Sequence, residues 1–233
     1  MITTIIQKVI ARSRRTLFPN SFKLDVLTKG AIRRLVGRED AVIFEIGSAD
    51  GLDSIEFLKV MRDPKFRLIC VEPEPQNIKK FLERITDSRT TLFQVAISET
   101  DGVAQLNVSS TAYSSSLKQP NMREIQRRWP EISFDSAIDV STRSLDSIVG
   151  ELGVTRIDFI WADIQGAEDL LIRGGVRALT RTRFLYTEYG GDGLYFGDNP
   201  LEKIQSLLGS SWSLLRDYKT DALFVNHDVH NDQ

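Results

Sequence analysis

From residue 41 onward the chain alternates between short apolar runs and stretches with helical spacing. AVIFEIG (41–47) is an apolar run that ends at glycine, the pattern of a parallel strand buried on both faces. GLDSIEFLKVMR follows with helical periodicity, Leu52, Ile55, Phe57, Leu58 and Met61 lining one side. FRLICVEP (66–73) predicts a second strand stopped by Pro73, NIKKFLERI a helix, and TTLFQVAI (90–97) a third strand. Strand, helix, strand, helix, strand in this spacing is a βαβαβ unit.

The middle is less regular. GVAQLNVSS (102–110) alternates and reads as an extra strand near a sheet edge, and SAIDVSTR (136–143) as another short strand. Between them, residues 111–135 form a long segment rich in Ser, Pro and Arg, with a short helix around Met122–Trp129. A loop of that length in a compact domain suits a lid or an acceptor-binding insertion. Ser144 is placed to N-cap a helix that Gly153 closes, and RIDFIWADI (156–164) is a buried strand in which Phe159 and Trp161 read as core. AEDLLIRGG and VRALTR are helical pieces broken at Gly174-Gly175, RFLYTEYG (183–190) is a strand, and Pro200 begins a helix as its first residue. WSLLRDY and ALFVNHD, separated by Lys219-Thr220-Asp221, close the chain as a hairpin. The expected fold is α/β: about seven strands in a mostly parallel, Rossmann-like sheet that ends in an antiparallel hairpin, with helices on both faces.

Composition narrows the function class. The 233 residues carry 30 Lys+Arg against 32 Asp+Glu, a net charge of -2, which argues against nucleic acid as the partner. One cysteine excludes an internal disulfide framework and a multi-cysteine zinc site, and two histidines exclude a histidine-rich metal site. Such a chain suits a reducing compartment, and a cytoplasmic location is expected. No apolar run reaches the roughly 20 residues of a transmembrane helix. The start, MITTIIQKVIARSRRTLF, has its apolar residues before its basic ones, the reverse of a secretory signal. Ile2, Ile5, Ile6, Val9 and Ile10 follow helical spacing, so residues 1–36 read as a helical extension of a domain spanning 37–233. That helix would pack on the domain or on a second copy in a homo-oligomer; a membrane-surface helix is the alternative.

The chemistry gathers at strand ends. Glu45-Ile46-Gly47-Ser48-Ala49-Asp50-Gly51 lies where the first strand gives way to a helix, and in open α/β sheets ligands bind at that end. Glu72 closes the second strand, 21 residues after Gly51, where a carboxylate can accept both hydroxyls of a ribose. A dinucleotide fingerprint needs G-x-G-x-x-G/A; here the spacing is Gly47-x-x-x-Gly51, with Glu45 and Asp50 as negative charges beside any pyrophosphate. The acidic loop favours S-adenosylmethionine, which has an ammonium, a sulfonium, a ribose and no phosphate. Asp163 in Ala162-Asp163-Ile164-Gln165-Gly166-Ala167-Glu168 would face the same cleft, and Glu188 stands at the next strand end. Three strand-end carboxylates, counting Glu168, could also hold a hard divalent cation, but their spacing fixes no ligand set and no metal is predicted.

These motifs, with Val71-Glu72-Pro73, Val95-Ala96-Ile97-Ser98, Ser141-Thr142-Arg143-Ser144-Leu145-Asp146 and above all Asp163–Glu168, resemble the FkbM family of S-adenosylmethionine-dependent methyltransferases from about Val42 to Tyr189. The resemblance implies a class I methyltransferase fold over residues 37–233. It implies that Glu45, Gly47, Ser48 and Gly51 line the methionine end of the cofactor, Glu72 holds the ribose, Ala96 lies by the adenine, and Asp163 and Gln165 face the reaction centre. Gln165 stands where family members often have Glu. It further implies O-methylation of a small-molecule hydroxyl on a sugar, polyketide or related metabolite. A hydroxyl must lose its proton, and with His227 and His230 in the tail the expected bases are Asp163 first and Glu188 second. An NAD(P)-binding oxidoreductase and a non-catalytic scaffold of the same fold are the competing readings.

Overall fold

The computed structural model describes residues 27–191 and 193–229; the expected amphipathic helix near the start lies outside them. Seven strands form one sheet in the order β3-β2-β1-β7-β8-β10-β9. β1 (Val42–Ile46), β2 (Arg67–Val71), β3 (Thr90–Phe93), β7 (Ile157–Ala162) and β8 (Thr182–Glu188) are mutually parallel, and β10 (Asp221–Asn226) runs antiparallel between β8 and β9 (Trp212–Asp217). The periodicity's α/β sheet with a terminal antiparallel hairpin is present, and the fold is the class I methyltransferase arrangement that the family resemblance implies.

The apolar runs are continuous because both faces of the sheet are covered. Phe44 and Ile46 point to one face, with Ile160, Leu185 and Phe224, beneath α5 (Leu145–Glu151), α6 (Glu168–Gly174), α7 (Val176–Leu179) and α8 (Leu201–Leu208). Ile43, Leu68, Phe159 and Phe184 point to the other, beneath α1 (Lys29–Val36), α2 (Leu52–Val60) and α3 (Pro75–Arg84). Leu27, Ile32 and Val36 belong to that second cluster, so the described part of the N-terminal extension is built into the core.

Three local expectations differ from the structure. TTLFQVAI does not make one strand: β3 ends at Phe93, and β4 (Ala96–Ile97) joins β6 (Ser136–Arg143) and β5 (Gly102–Val108) in a separate three-stranded sheet. Phe93 and Val95 both still touch the main core, so the hydrophobic pattern runs through the break without marking it. Pro200 is the N-cap rather than the first helical residue of α8, because the preceding Asn199 is buried and holds the Gly166 carbonyl at 2.8 Å. Leu52 is exposed at the start of α2 and borders a cavity instead of lining the buried side of its helix. The short helix of the insertion is present as α4 (Met122–Arg128); its Arg127 pairs with Glu124 on the solvent side.

Candidate active site

A cleft enclosing about 870 Å³, counting its open mouth, lies at the carboxyl ends of β1, β2 and β7. Its floor is the β1–α2 loop. Gly47 and Ser48 donate from their N–H groups to the Val71 carbonyl at 2.9 and 3.1 Å, and Asp163 donates to the Ile46 carbonyl at 3.0 Å. The loop is thus stitched to both neighbouring strand ends. Gly47 has φ +85°, and a Cβ there would lie 2.0 Å from the Asp163 carbonyl oxygen, so only glycine fits. Gly51, also at positive φ, caps α2 and packs against Phe81 of α3 and Ile85 just after it, away from the cleft lining.

Glu72 sits at the cleft wall, buried. Its Oε2 accepts from Ala49 N–H at 2.8 Å and its Oε1 from Glu74 N–H at 2.9 Å. Burial nonetheless pushes its carboxyl up to about 7, against the pull of those two backbone donors. Oε1 also accepts from Asn77 Nδ2 at 3.4 Å, so Oε2 is the oxygen with a second lone pair for a ligand hydroxyl. Beside it, the Oδ1 atoms of Asn77 and Asp50 are buried without a partner, and both residues line the cleft. Ser48 and Ala96 also line it.

Glu45 is placed differently. Strand alternation directs it to the α2 face, where Ser54 and Cys70 take its Oε2, and it does not border the cleft. Burial first, then the charge of Asp53, raises its carboxyl to about 8. Trp161, expected as core, is only half-buried and lines the cleft. It stacks on Tyr186 at 4.3 Å, so the aromatic row of the core continues into the wall.

At the β7 and β8 ends, one amide joins the two expected bases. Gln165 Nε2 donates to Asp163 Oδ1 at 2.5 Å and to Glu188 Oε2 at 3.0 Å, while its Oε1 accepts from the Tyr195 hydroxyl at 3.3 Å. Gln165 itself stands at φ +54°, a strained backbone that sequence alone does not announce. Asp163 lines the cleft and Glu188 stands behind it. Among the described residues no group of three His, Cys, Asp or Glu side chains converges to hold a metal ion.

The insertion closes the top. Tyr113 hydroxyl donates to Asp50 at 3.0 Å, Ser115 to Glu74 at 2.7 Å, Asn77 to the Ala112 carbonyl at 2.8 Å, and Ser116 to the Gln165 carbonyl at 2.7 Å. Residues 112–117 are therefore tied to both the Glu72 side and the Asp163 side. These contacts join residues 35 to 63 positions apart, and nothing in the sequence pattern of the segment signals them.

Glu168 lies beneath the cleft rather than in it, accepting from Gly166 N–H at 3.2 Å and from Asn199 at 3.4 Å. Burial, with the charge of Asp163 adding to it, raises the carboxyl from 4.5 to about 7. A raised folded-state value means that the folded protein binds the proton more tightly than the unfolded chain. Stability therefore falls as pH rises from about 4.5 to about 7, and Glu45 and Glu72 act in the same direction. Glu168→Gln keeps an oxygen for Gly166 and has no charge to develop. Urea unfolding should find the variant more stable than the unsubstituted chain by on the order of 2 kcal/mol at about pH 8 and little different at about pH 5. An equal difference at both pH values would refute the assignment.

Comparison with known proteins gives the following. Residues 45–220 match the family model described as Methyltransferase FkbM domain. The curated 2-O-methyltransferase NoeI of Sinorhizobium fredii (strain NBRC 101917 / NGR234) is 40% identical over 184 residues, covering 76% of this chain and 74% of NoeI. The crystal structure of methyltransferase FkbM from Methylobacillus flagellatus KT aligns over 80% of this chain at a TM-score of 0.50 and 18% identity; the chain spans only 44% of that protein's length. A putative rRNA-methylase from Clostridium thermocellum aligns over 87% of this chain and 94% of its own, at a TM-score of 0.50 and 11% identity. At those identities the two structures speak for the fold.

Proposed function

We propose that this chain, which belongs to the methyltransferase FkbM family, transfers the methyl group of S-adenosylmethionine to a hydroxyl of a small metabolite, a sugar or polyketide being the class the family resemblance implies. The observation that carries the donor is the charge of the cleft. Its lining holds four carboxylates, Asp50 and Asp53, which pair with Arg84 and Lys29 outside it, and Glu72 and Asp163, and no Lys or Arg lines it among the described residues. A dinucleotide would bring a pyrophosphate into that field, whereas a nucleoside bearing an ammonium and a sulfonium complements it. The partnerless Oδ1 atoms of Asp50 and Asn77 add to the fit, because buried acceptors call for donors and a nucleoside has hydroxyl and amino groups to offer. The name of the 40% identical relative, a 2-O-methyltransferase, supports a hydroxyl as the acceptor. The single cysteine, Cys70, is buried and unpaired, in keeping with a cytoplasmic enzyme.

When bound, S-adenosylmethionine supplies an electrophilic methyl group. The chain's own part is to hold and to deprotonate. Glu72 accepts from the ribose hydroxyls, Ala96 offers an apolar contact to the adenine, and the Gly47-Ser48 turn gives the methionine end a close approach to backbone. Asp163 takes the proton of the acceptor hydroxyl, with Glu188 held beside it through Gln165. Residues 112–117 exclude water from the cleft. Fixing the acceptor oxygen in line is worth more than any charge effect here, since the sulfonium loses its charge as the methyl moves.

Calorimetric titration tests the donor. S-adenosylhomocysteine should bind, NADH should not, and Glu72→Ala should weaken the former about 100-fold, as expected for two hydroxyls losing a charged acceptor. No binding of S-adenosylhomocysteine, or binding of NADH in its place, would overturn the reading.

A further inference from the structure

Gln165 joins Asp163 to Glu188 from a strained backbone, φ +54°, beside Gly166 at φ +92°. Such a turn persists only where its surroundings over-determine it. Ser116 Oγ of the insertion donates to the Gln165 carbonyl at 2.7 Å, and Asn199 Nδ2 to the Gly166 carbonyl at 2.8 Å. Tyr195, in the loop between β8 and α8, lies over Gly166: a Cβ built on that glycine would stand 3.1 Å from Tyr195 Cβ and 3.4 Å from its ring. The Tyr195 ring meets Phe134 edge-on at 6.4 Å, and its backbone pairs with Pro120 in an antiparallel bridge. The residue is buried and does not border the cleft.

The Tyr195 hydroxyl faces two acceptors, the Ser114 carbonyl at 2.6 Å and Gln165 Oε1 at 3.3 Å. Among the described residues no other group donates to that Oε1. Gln165 borders the cleft, so water there competes for both ends of its amide. With Oε1 drawn back to Tyr195, Nε2 is left facing the two carboxylates. A phenylalanine would cover Gly166 and meet Phe134 equally well, so packing alone does not call for the hydroxyl.

We propose that Tyr195 is a positioning residue for methyl transfer: its hydroxyl holds the Gln165 amide in the orientation that presents Nε2 to Asp163 and Glu188. The inference rests on Asp163 as the base and adds a residue that touches neither donor nor acceptor. An N–H donated to a carboxylate favours its charged form, so the clamp keeps Asp163 ready to take a proton. Glu168 beneath the turn and Lys29 on α1 also act on Asp163 by charge, and Tyr195→Phe leaves both in place. The same hydroxyl holds the Ser114 carbonyl, so the insertion over the cleft and the amide beside the base share one anchor.

Carbon-13 NMR titration of the side-chain carboxyls of the full chain tests the clamp, the Asp163 resonance being assigned by its loss in Asp163→Asn. Gln165→Leu should raise the Asp163 midpoint by about one pH unit, the worth of a hydrogen bond to a charged acceptor, and Tyr195→Phe by about half of that. The double variant should move it no further than Gln165→Leu alone, because the hydroxyl acts only through the amide. An unmoved midpoint in Tyr195→Phe, or shifts that add in the double variant, would overturn the clamp and leave Tyr195 a support of the insertion. The titration needs no acceptor, so it is decided apart from the base assignment. If Asp163→Asn keeps the full rate of methyl transfer, the role of Tyr195 in the reaction falls with that assignment, whatever the titration shows.

Discussion

Gly47→Ala is expected to abolish S-adenosylhomocysteine binding and to destabilise the folded protein by roughly 3–5 kcal/mol. The added Cβ would stand 2.0 Å from the Asp163 carbonyl oxygen and 3.0 Å from its carbon. Both are backbone atoms of the adjoining strand end, so no rotamer relieves the clash. The β1 and β7 ends would have to part, breaking the Asp163 N–H bond to the Ile46 carbonyl and moving the proposed base with it. The positive φ of +85° adds about 1 kcal/mol of strain for any residue with a side chain. Gly153 provides the control: φ is +59° but nothing lies within 4 Å of its built Cβ, so Gly153→Ala should cost only the conformational part, about 1 kcal/mol, and leave binding intact. Urea unfolding and calorimetry on the two variants decide the matter. A Gly47→Ala protein as stable as Gly153→Ala would mean that the turn does not sit against Asp163.

Much of this arrangement is legible in the sequence because the sheet is buried on both faces. Each parallel strand then reads as an unbroken apolar run with a carboxylate at its end or one residue beyond, as in Glu188, Glu72 and Asp163. What the sequence conceals follows from the same physics. Apolar spacing carries on past Phe93 to Val95 and Ile97 although the chain changes sheets there, since all three side chains stay in contact with the main core. Trp161 sits inside an apolar run and reads as core, while its ring serves both core and cleft. Glu45 shows the opposite failure. Its place before the glycine turn marks it as a ligand contact, but two-residue alternation with Ile43 sends it to the α2 face, a signal that was available and outweighed by the motif. Lys29 with Asp53, and Tyr195 with Gln165, are joined only by folding, and no periodicity links them.

Asp163→Asn is expected to slow methyl transfer about 10²–10⁴-fold, the worth of a general base, while S-adenosylhomocysteine affinity changes far less. The measurement is S-adenosylhomocysteine release with a hydroxyl acceptor that the unsubstituted protein turns over. An amide at position 163 cannot take the proton, and it would set a second N–H donor against Gln165 Nε2, which now donates to both carboxylates. Glu188→Gln should cost less, because Glu188 reaches the site through that same amide and does not border the cleft. A larger loss from Glu188→Gln than from Asp163→Asn would make Glu188 the base, and no loss from Asp163→Asn would remove Asp163 from the chemistry. Gln165→Glu sharpens the test. It replaces the shared donor with a third negative charge, and like charges held this close raise one another's proton affinity. The acid limb of the pH–rate profile should therefore move to higher pH, since the base would be free of its proton only in more alkaline solution. A profile that stayed in place would mean that the carboxylate taking the proton lies out of reach of residue 165, which the 2.5 Å contact to Asp163 forbids for the base assigned here.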